Sequence, residues 1–354
     1  MTKSTALDQL LASNGPAALV LRQHLTSVEG ADGVVFPATY ASGENFKGGY
    51  NIDRDDRGNV CLIDSVGAQA NRVEPMFALD EYRSLVPQVT VKAGERTVNL
   101  LDASHRAADA LVRCSTLQDD LQKAFAAVLK GNAEPLAKIA PTSLVFGVWD
   151  SRGTQAKLPR LFASTIRAFD VRTLTRSAQF NPSVDYVGEK LLDETAEKKV
   201  SDMYAERGFV HVPATGTHGG VIPTGGIRRD ASLSLVALRL LRGETTERTA
   251  LLQRYILGLA LCAFTRSPSG YLRQGCNLVL AHPTPEGDGA FEVHPSGERK
   301  PLTVTHEQAL ELAKAAATAF GVGADRLDVP FDKERAKQDV SDDAKAAKKK
   351  AKAK

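Results

Sequence analysis

Residues 144–176, LVFGVWDSRGTQAKLPRLFASTIRAFDVRTLTR, carry an apolar run (Leu144–Trp149) into a short Asp150-Ser151-Arg152-Gly153 turn and then into a cationic stretch. Arg152, Lys157, Arg160, Arg167, Arg172 and Arg176 are answered there only by Asp150 and Asp170. Arginine dominates, and its planar fork matches phosphate better than a lysine point charge does. Ser151, Thr154, Gln155 and Ser164 add neutral donors for phosphate or sugar. A solvated face of a charge-rich protein would look similar. No acidic block lies nearby to pair with these cations, so an anionic polymer is the better first reading.

Outward from this stretch, helix and strand periodicities mix without strict βα order. Helical spacing covers residues 5–13 (ending at Asn14-Gly15), His105–Arg113, Leu117–Leu129 with Gly131 as its stop, Thr246–Phe264 and Thr303–Phe320. Gly67–Glu74 is a small-residue, helix-like segment. Strands are expected over Val34–Tyr40, Asn59–Val66, Gln88–Lys92, Thr97–Leu101, Ser143–Trp149, Arg207–Val212, Ser232–Leu241 and Asn277–His282. Leu161–Val171 fits either strand or helix. Pro182–Lys199 reads as an exposed insertion and Pro213–Gly226 as a glycine-rich loop; from about Lys333 a lysine-alanine tail reads as disordered. The mixture predicts an α+β fold.

Composition is that of a globular protein, 43% apolar and 25% charged. The net charge of +3 includes six tail lysines (Lys345, Lys348, Lys349, Lys350, Lys352, Lys354), so residues 1–344 carry −3. Any basic surface must therefore be local, which favours a defined groove over bulk attraction to nucleic acid. Cys61, Cys114, Cys262 and Cys276 are widely spaced in apolar contexts and read as buried reduced thiols. With no long apolar core near the N-terminus and no spanning segment, a cytoplasmic location without membrane contact is expected.

Catalytic signatures are sparse. There is no H-E-x-x-H, no G-x-S-x-G and no phosphate-loop lysine, since Gly220-x4-Gly225 is followed by Gly226. Gly216, Gly219, Gly220, Gly225 and Gly226, with His218, form a loop candidate whose backbone amides could approach a ligand; Arg228 and Arg229 supply charge beside it. Gln69, Asn71 and Arg72 on one small-residue segment and Arg106 on another are further candidates for phosphate or sugar contacts. No metal site and no cofactor is expected.

Five segments together, VCLIDSVGAQANRVEP (60–75), LLDASHRAADALVRCS (100–115), APTSLVFGVWDSRGTQAKLPRLFASTIRAFDVR (140–172), ERGFVHVPATGTHGGVIPTGGIRRD (206–230) and YLRQGCNLVL (271–280), resemble the backbone subunit of type I-G (formerly I-U) CRISPR effector complexes. This is the Csb-one family, a Cas-seven-type branch of the RAMP superfamily. The resemblance implies a modified ferredoxin-like, RRM-type palm over 18–330 with finger and thumb insertions, after an N-terminal helix and lead-in (1–17) and before the tail (331–354). It implies a subunit without an active site that stacks along CRISPR RNA and presents it to target DNA. Further copies of itself, a Cas-five/Cas-six-type fusion and a large subunit would be its other partners. No RNP-type aromatic motif is present, so backbone contacts from Arg72, Arg106, Arg152, Lys157, Arg160, Arg167, Arg228 and Arg229 are expected to carry RNA affinity. Two alternatives stay open: metal-dependent RNA cleavage using Asp150, Asp64 or Asp102, and repeat processing using His218 or His211.

Overall fold

The computed structural model describes residues 8–267 and 270–341. Its centre is an antiparallel sheet through β1 (Ala18–Ser27), a strand the sequence reading passes over. β2 (Gly58–Asp64) leads through Ser65, whose hydroxyl accepts from Ala68 N–H at 3.2 Å, into α1 (Val66–Val73). After a helical region come α2 (Thr142–Phe146), β3 (Phe162–Phe169), β4 (Val171–Phe180), β5 (Val212–Pro223) and β6 (Ile227–Ser234). The long helix α3 (Thr246–Thr265) follows, then β7 (Cys276–Leu280), β8 (Gly289–Val293) and α4 (His306–Phe320). Across the sheet the order is Tyr271–Arg273, β7, β1, β6, β3, β2 and Ile52–Asp55, with β8 beside the N-terminal half of β1.

β6 shows why one face is covered. Ile227, Arg229, Ala231 and Leu233 are buried, while Arg228, Asp230 and Ser232 alternate onto the other face. The register sets Leu19 and Phe162 beside Leu233, and Gln23 and Ile166 beside Arg229. α1 and α3 pack on the same side: Gln69 meets Ser164, and Phe162 meets Phe264 edge-on at 6.4 Å. Thr245 caps α3 and a Thr305/Gln308 capping box starts α4. The two helices touch where Gly258 lies against Ala313. Tyr255 of α3 stacks on Phe320 of α4 at 4.8 Å and donates its hydroxyl to Leu85 O at 2.6 Å.

The covered face is not uniformly apolar. One cluster holds Leu19, Phe162, Ala231 and Leu233 with the helices; a second holds Leu25, Ile166, Ala168 and Ile227 with Cys61 and Cys276. Between them Gln23, Ser164 and Arg229 form a polar belt across three strands. All four cysteines are buried thiols; burial pushes Cys61 and Cys262 up to about 12.

The mixed architecture agrees with the expected α+β class, and most long helices fall where the periodicity puts them. Several elements differ. Only the 3-10 turn Gln9–Leu11 represents the helix expected over 5–13, whose first three residues lie outside the described set. Val34–Tyr40 contributes only Thr39–Tyr40 and one bridge from Val35 to Val221. Ser143–Trp149 is the short helix α2 followed by Val148–Trp149, because a segment buried on all sides has no diagnostic period. Arg207–Val212 is mostly a turn after Lys198–Glu206, and Pro213–Gly226 is largely strand β5. Ser232–Leu241 switches at Ser234, whose hydroxyl accepts from Ala237 N–H, into the helix Leu235–Arg239. The chain is helical over 333–341; the tail lysines lie outside the described residues. No helix among the described residues is long and apolar enough to cross a membrane.

Candidate nucleic-acid interface

α1 carries Gln69 and Arg72 to one end of the polar belt. Asp64, fully buried at the end of β2, accepts from Gln69 Nε2 (2.7 Å), Arg72 Nε (3.1 Å) and Arg273 (2.7 Å). Gln69 Oε1 accepts from Ser164 Oγ (3.0 Å), which accepts from Arg229 Nε (3.1 Å); Arg229 donates onward to Gln23 Oε1 (3.1 Å). Arg229 is 2% exposed, and no carboxylate among the described residues forms a salt bridge with it. Burial pulls its guanidinium down to about 10, so it remains charged at neutral pH.

A cavity of about 150 Å³ opens over this belt, lined by Gln69, Arg72, Ile166, Arg229, Arg266 and Leu272 among others. Arg266 enters it from just past the end of α3. Three guanidiniums (Arg72, Arg229, Arg266) thus line one cavity, while Arg72 and Arg273 both bond the buried Asp64 carboxylate. Such an excess of cation in a partly closed polar pocket is matched by an anion with several acceptor oxygens, as a phosphate has.

A second basic area lies on the opposite face of the sheet. Alternation sends Arg228 to the face away from Arg229, so this adjacent pair cannot act on one ligand atom. Arg228 donates to both Asp230 oxygens (3.1 and 2.9 Å) and lies 4.8 Å over the Phe169 ring. A trough of about 780 Å³ on this face is lined by Arg22, Arg167, Asp230, Phe291 and Arg299 among others. Arg167 donates to Thr165 Oγ1 at 2.7 Å.

The third group lies on the turn after α2. Asp150 is 2% exposed and accepts from Gly153 N–H (3.2 Å), Thr154 N–H (2.7 Å), Thr154 Oγ1 (2.8 Å) and Gln122 Nε2 (3.3 Å). It therefore ties the turn together. Arg152, Lys157 and Arg160 are exposed around it, with Lys157 Nζ 5.2 Å over the ring of Trp149.

Two expectations need correction. Arg106 is 3% exposed and meets Glu74 at 2.6 Å, with Gly147 O and Asn71 Oδ1 at 3.4 and 3.3 Å. It braces the body from within and offers no free face to a strand. Burial pushes the Glu74 carboxyl up to about 7 against the pull of this guanidinium. Gly216–Gly226 is not a free loop: β5 pairs with β4 in a two-stranded ribbon that carries residues 181–211 at its far end. Tyr50 accepts from Gly220 N–H at 2.9 Å and its ring lies 4.8 Å from His218, which itself fills the space above Gly49. Gly216, Gly220 and Gly226 have positive φ, and a Cβ on Gly219 would fall 2.6 Å from the Thr175 backbone; Gly225 packs on Phe169 and Asp170. These glycines shape the ribbon and its turn.

The structure thus gathers Gln69, Arg72 and Arg229, sets Arg152, Lys157 and Arg160 on a neighbouring turn, and puts Arg167 and Arg228 on the other face. Asn71 links the first two groups by accepting from Arg106, which reaches Gly147 just before the turn. Sequence reasoning missed Arg22, Arg266 and Arg299, each a lone arginine in a segment without a pattern. It also passed over Trp149 as the end of an apolar run. Among the described residues no group of three or more His, Cys, Asp or Glu could hold a metal ion.

Residues 19–173, less than half of the chain, match the family model described as "CRISPR-associated protein GSU0053". That match supports a CRISPR-associated protein, and it spans β1, α1, the 148–160 turn and β3. No curated protein matches the chain. Among solved structures, a chain of a "CRISPR RNA-guided surveillance complex, pre-nicking" aligns over 92% of this chain and 99% of its own, at 12% identity and a TM-score of 0.28. A likeness that weak carries no argument here.

Proposed function

We propose that this protein is an RNA-binding backbone subunit of a CRISPR effector complex, which oligomerises along the CRISPR RNA and presents it for pairing with target DNA without cleaving it. The observation that carries the reading is the arginine pocket: three guanidiniums line one cavity, one of them buried without a carboxylate of its own. Such a site suits a strand's phosphates and reads no base edges, as expected where sequence recognition is left to base pairing.

The fold supports the finer reading. β1, β3, β6 and β7 lie in the order β7-β1-β6-β3, all antiparallel, with α1 between the first two in sequence and α3 between the last two. Taking these four strands in chain order gives 4-1-3-2 with both helices on one face, the arrangement of an RRM-type palm. The β4–β5 ribbon with its 181–211 extension fits a thumb. The competing metal-nuclease reading is weakened because Asp64 and Asp150 spend their carboxylates on internal donors. Partner subunits and further copies of the chain complete the proposed complex.

The direct test is fluorescence anisotropy of a labelled single-stranded RNA with the wild type and with Arg72→Gln/Arg266→Gln. The double variant should bind at least about tenfold more weakly, with the log–log salt slope reduced by ~0.7 for each phosphate that is no longer neutralised. Equal affinity and equal slope in a folded variant would remove this pocket from the interface.

A further inference from the structure

Trp149 is the chain's single tryptophan, and it is 55% exposed. A large indole is ordinarily buried on balance, and isolated exposure on a well-ordered element asks for a use. The element here is ordered by its own contacts. Val148–Trp149 pairs with Lys157–Leu158, and the buried Asp150 carboxylate takes four donors from within and beneath the turn. The backbone behind it is held as well. Gly147 O accepts from the buried Arg106, and a Cβ at Gly147 would meet Arg160 at 2.9 Å. The indole is therefore presented from a fixed base.

Its surroundings select among occupants. Lys157 Nζ stands 5.2 Å from the ring centre, and Arg152 and Arg160 are exposed on the same turn. The exposed residues that follow it along the turn, Ser151, Gly153 and Gln155, are polar or small. An apolar protein surface would find one ring in a field of cations. An unpaired base flanked by phosphates finds a stacking plane and counter-charges at once. Position agrees: Asn71 and Arg106 connect this turn directly to α1, whose Arg72 lines the arginine pocket.

We propose that Trp149 is a base-stacking subsite, taking one unpaired nucleobase of a single strand whose neighbouring phosphates meet Lys157, Arg152 or Arg160. This rests on the nucleic-acid reading above and adds a contact to the base to those made with the backbone. A backbone-only interface has no use for the indole.

Because no other tryptophan is present, emission excited at the red edge, where tyrosine does not absorb, reports this residue alone. The full chain is titrated with an unlabelled single-stranded RNA while tryptophan emission is followed, and binding is measured in parallel by anisotropy of a labelled copy. Stacking predicts saturable quenching that tracks the anisotropy curve. Trp149→Ala should weaken binding roughly 5- to 150-fold and Trp149→Phe about twofold or less. Full-strength RNA binding with unchanged emission and an unaffected Trp149→Ala variant would overturn the subsite and leave the arginine pocket standing. No RNA binding under low salt would overturn the underlying reading as well. An emission change on self-association without RNA, abolished in Trp149→Ala, would assign the ring to a protein contact and likewise overturn the proposal.

Discussion

A guanidinium as deeply buried as Arg229, held by Ser164 and Gln23 but by no carboxylate, costs stability that a leucine at the same place would not. Such costs persist where a site needs them, and here the charge faces the cavity shared with Arg72 and Arg266. Arg106 illustrates the other use of buried charge. It is matched by Glu74, and the pair ties Glu74, the end of α1 and Gly147 together. A carboxyl raised from 4.5 to about 7 on folding binds a proton more readily in the folded state. Its contribution is then fully present below about 4.5 and lost as pH rises through about 7. Thermal melts of the wild type and Glu74→Gln should therefore show the wild type's advantage shrinking across that window, whereas a constant difference would mean the carboxyl is ionised throughout. From sequence, Arg106 and Arg229 looked alike: each was an arginine near small residues. What separates them is the kind of long-range partner, the carboxylate of Glu74 in one case and the neutral Ser164 and Gln23 in the other, which local pattern does not encode.

At the scale of elements, legibility followed periodicity. α3 and α4 have capping residues and recurring apolar positions, and both fall within a few residues of their expected limits. β1 went unread because ALVLRQHLTS alternates only in part; both its edges are paired and its two faces are unequally covered. α2 was taken for strand because all five of its residues are buried. The glycines of β5 were read as a loop because strand glycines that allow a bulge or a close approach look like loop glycines in sequence. The α3–α4 contact makes a direct check on packing. A Cβ on Gly258 would lie 2.7 Å from Ala313 Cα, closer than any real Cβ contact allows. Gly258→Val should therefore destabilise by about 1–3 kcal/mol or more through overpacking, read as a lower urea midpoint with little change in slope. A midpoint equal to wild type would mean the helices are free to move apart.

The whole molecule combines a slightly acidic body with concentrated basic sites on both faces of its sheet. The sequence could show that positive charge is local, because six lysines sit in the tail and residues 1–344 carry −3. It could not show that alternation divides Arg228 from Arg229, or that Arg266 joins Arg72 from 194 positions further along the chain. Those facts belong to topology. Under the proposed function, such a body would grip a strand at chosen points and leave its remaining surface for neighbours. The most direct measurement is to co-express the full chain with a CRISPR array and the neighbouring subunits, purify it, and determine the length of any bound nucleic acid and the number of copies per particle. A backbone subunit will return with RNA of one guide length in a particle holding several copies of the chain. A monomer free of RNA at low salt, or one bearing RNA of arbitrary length, would contradict that role.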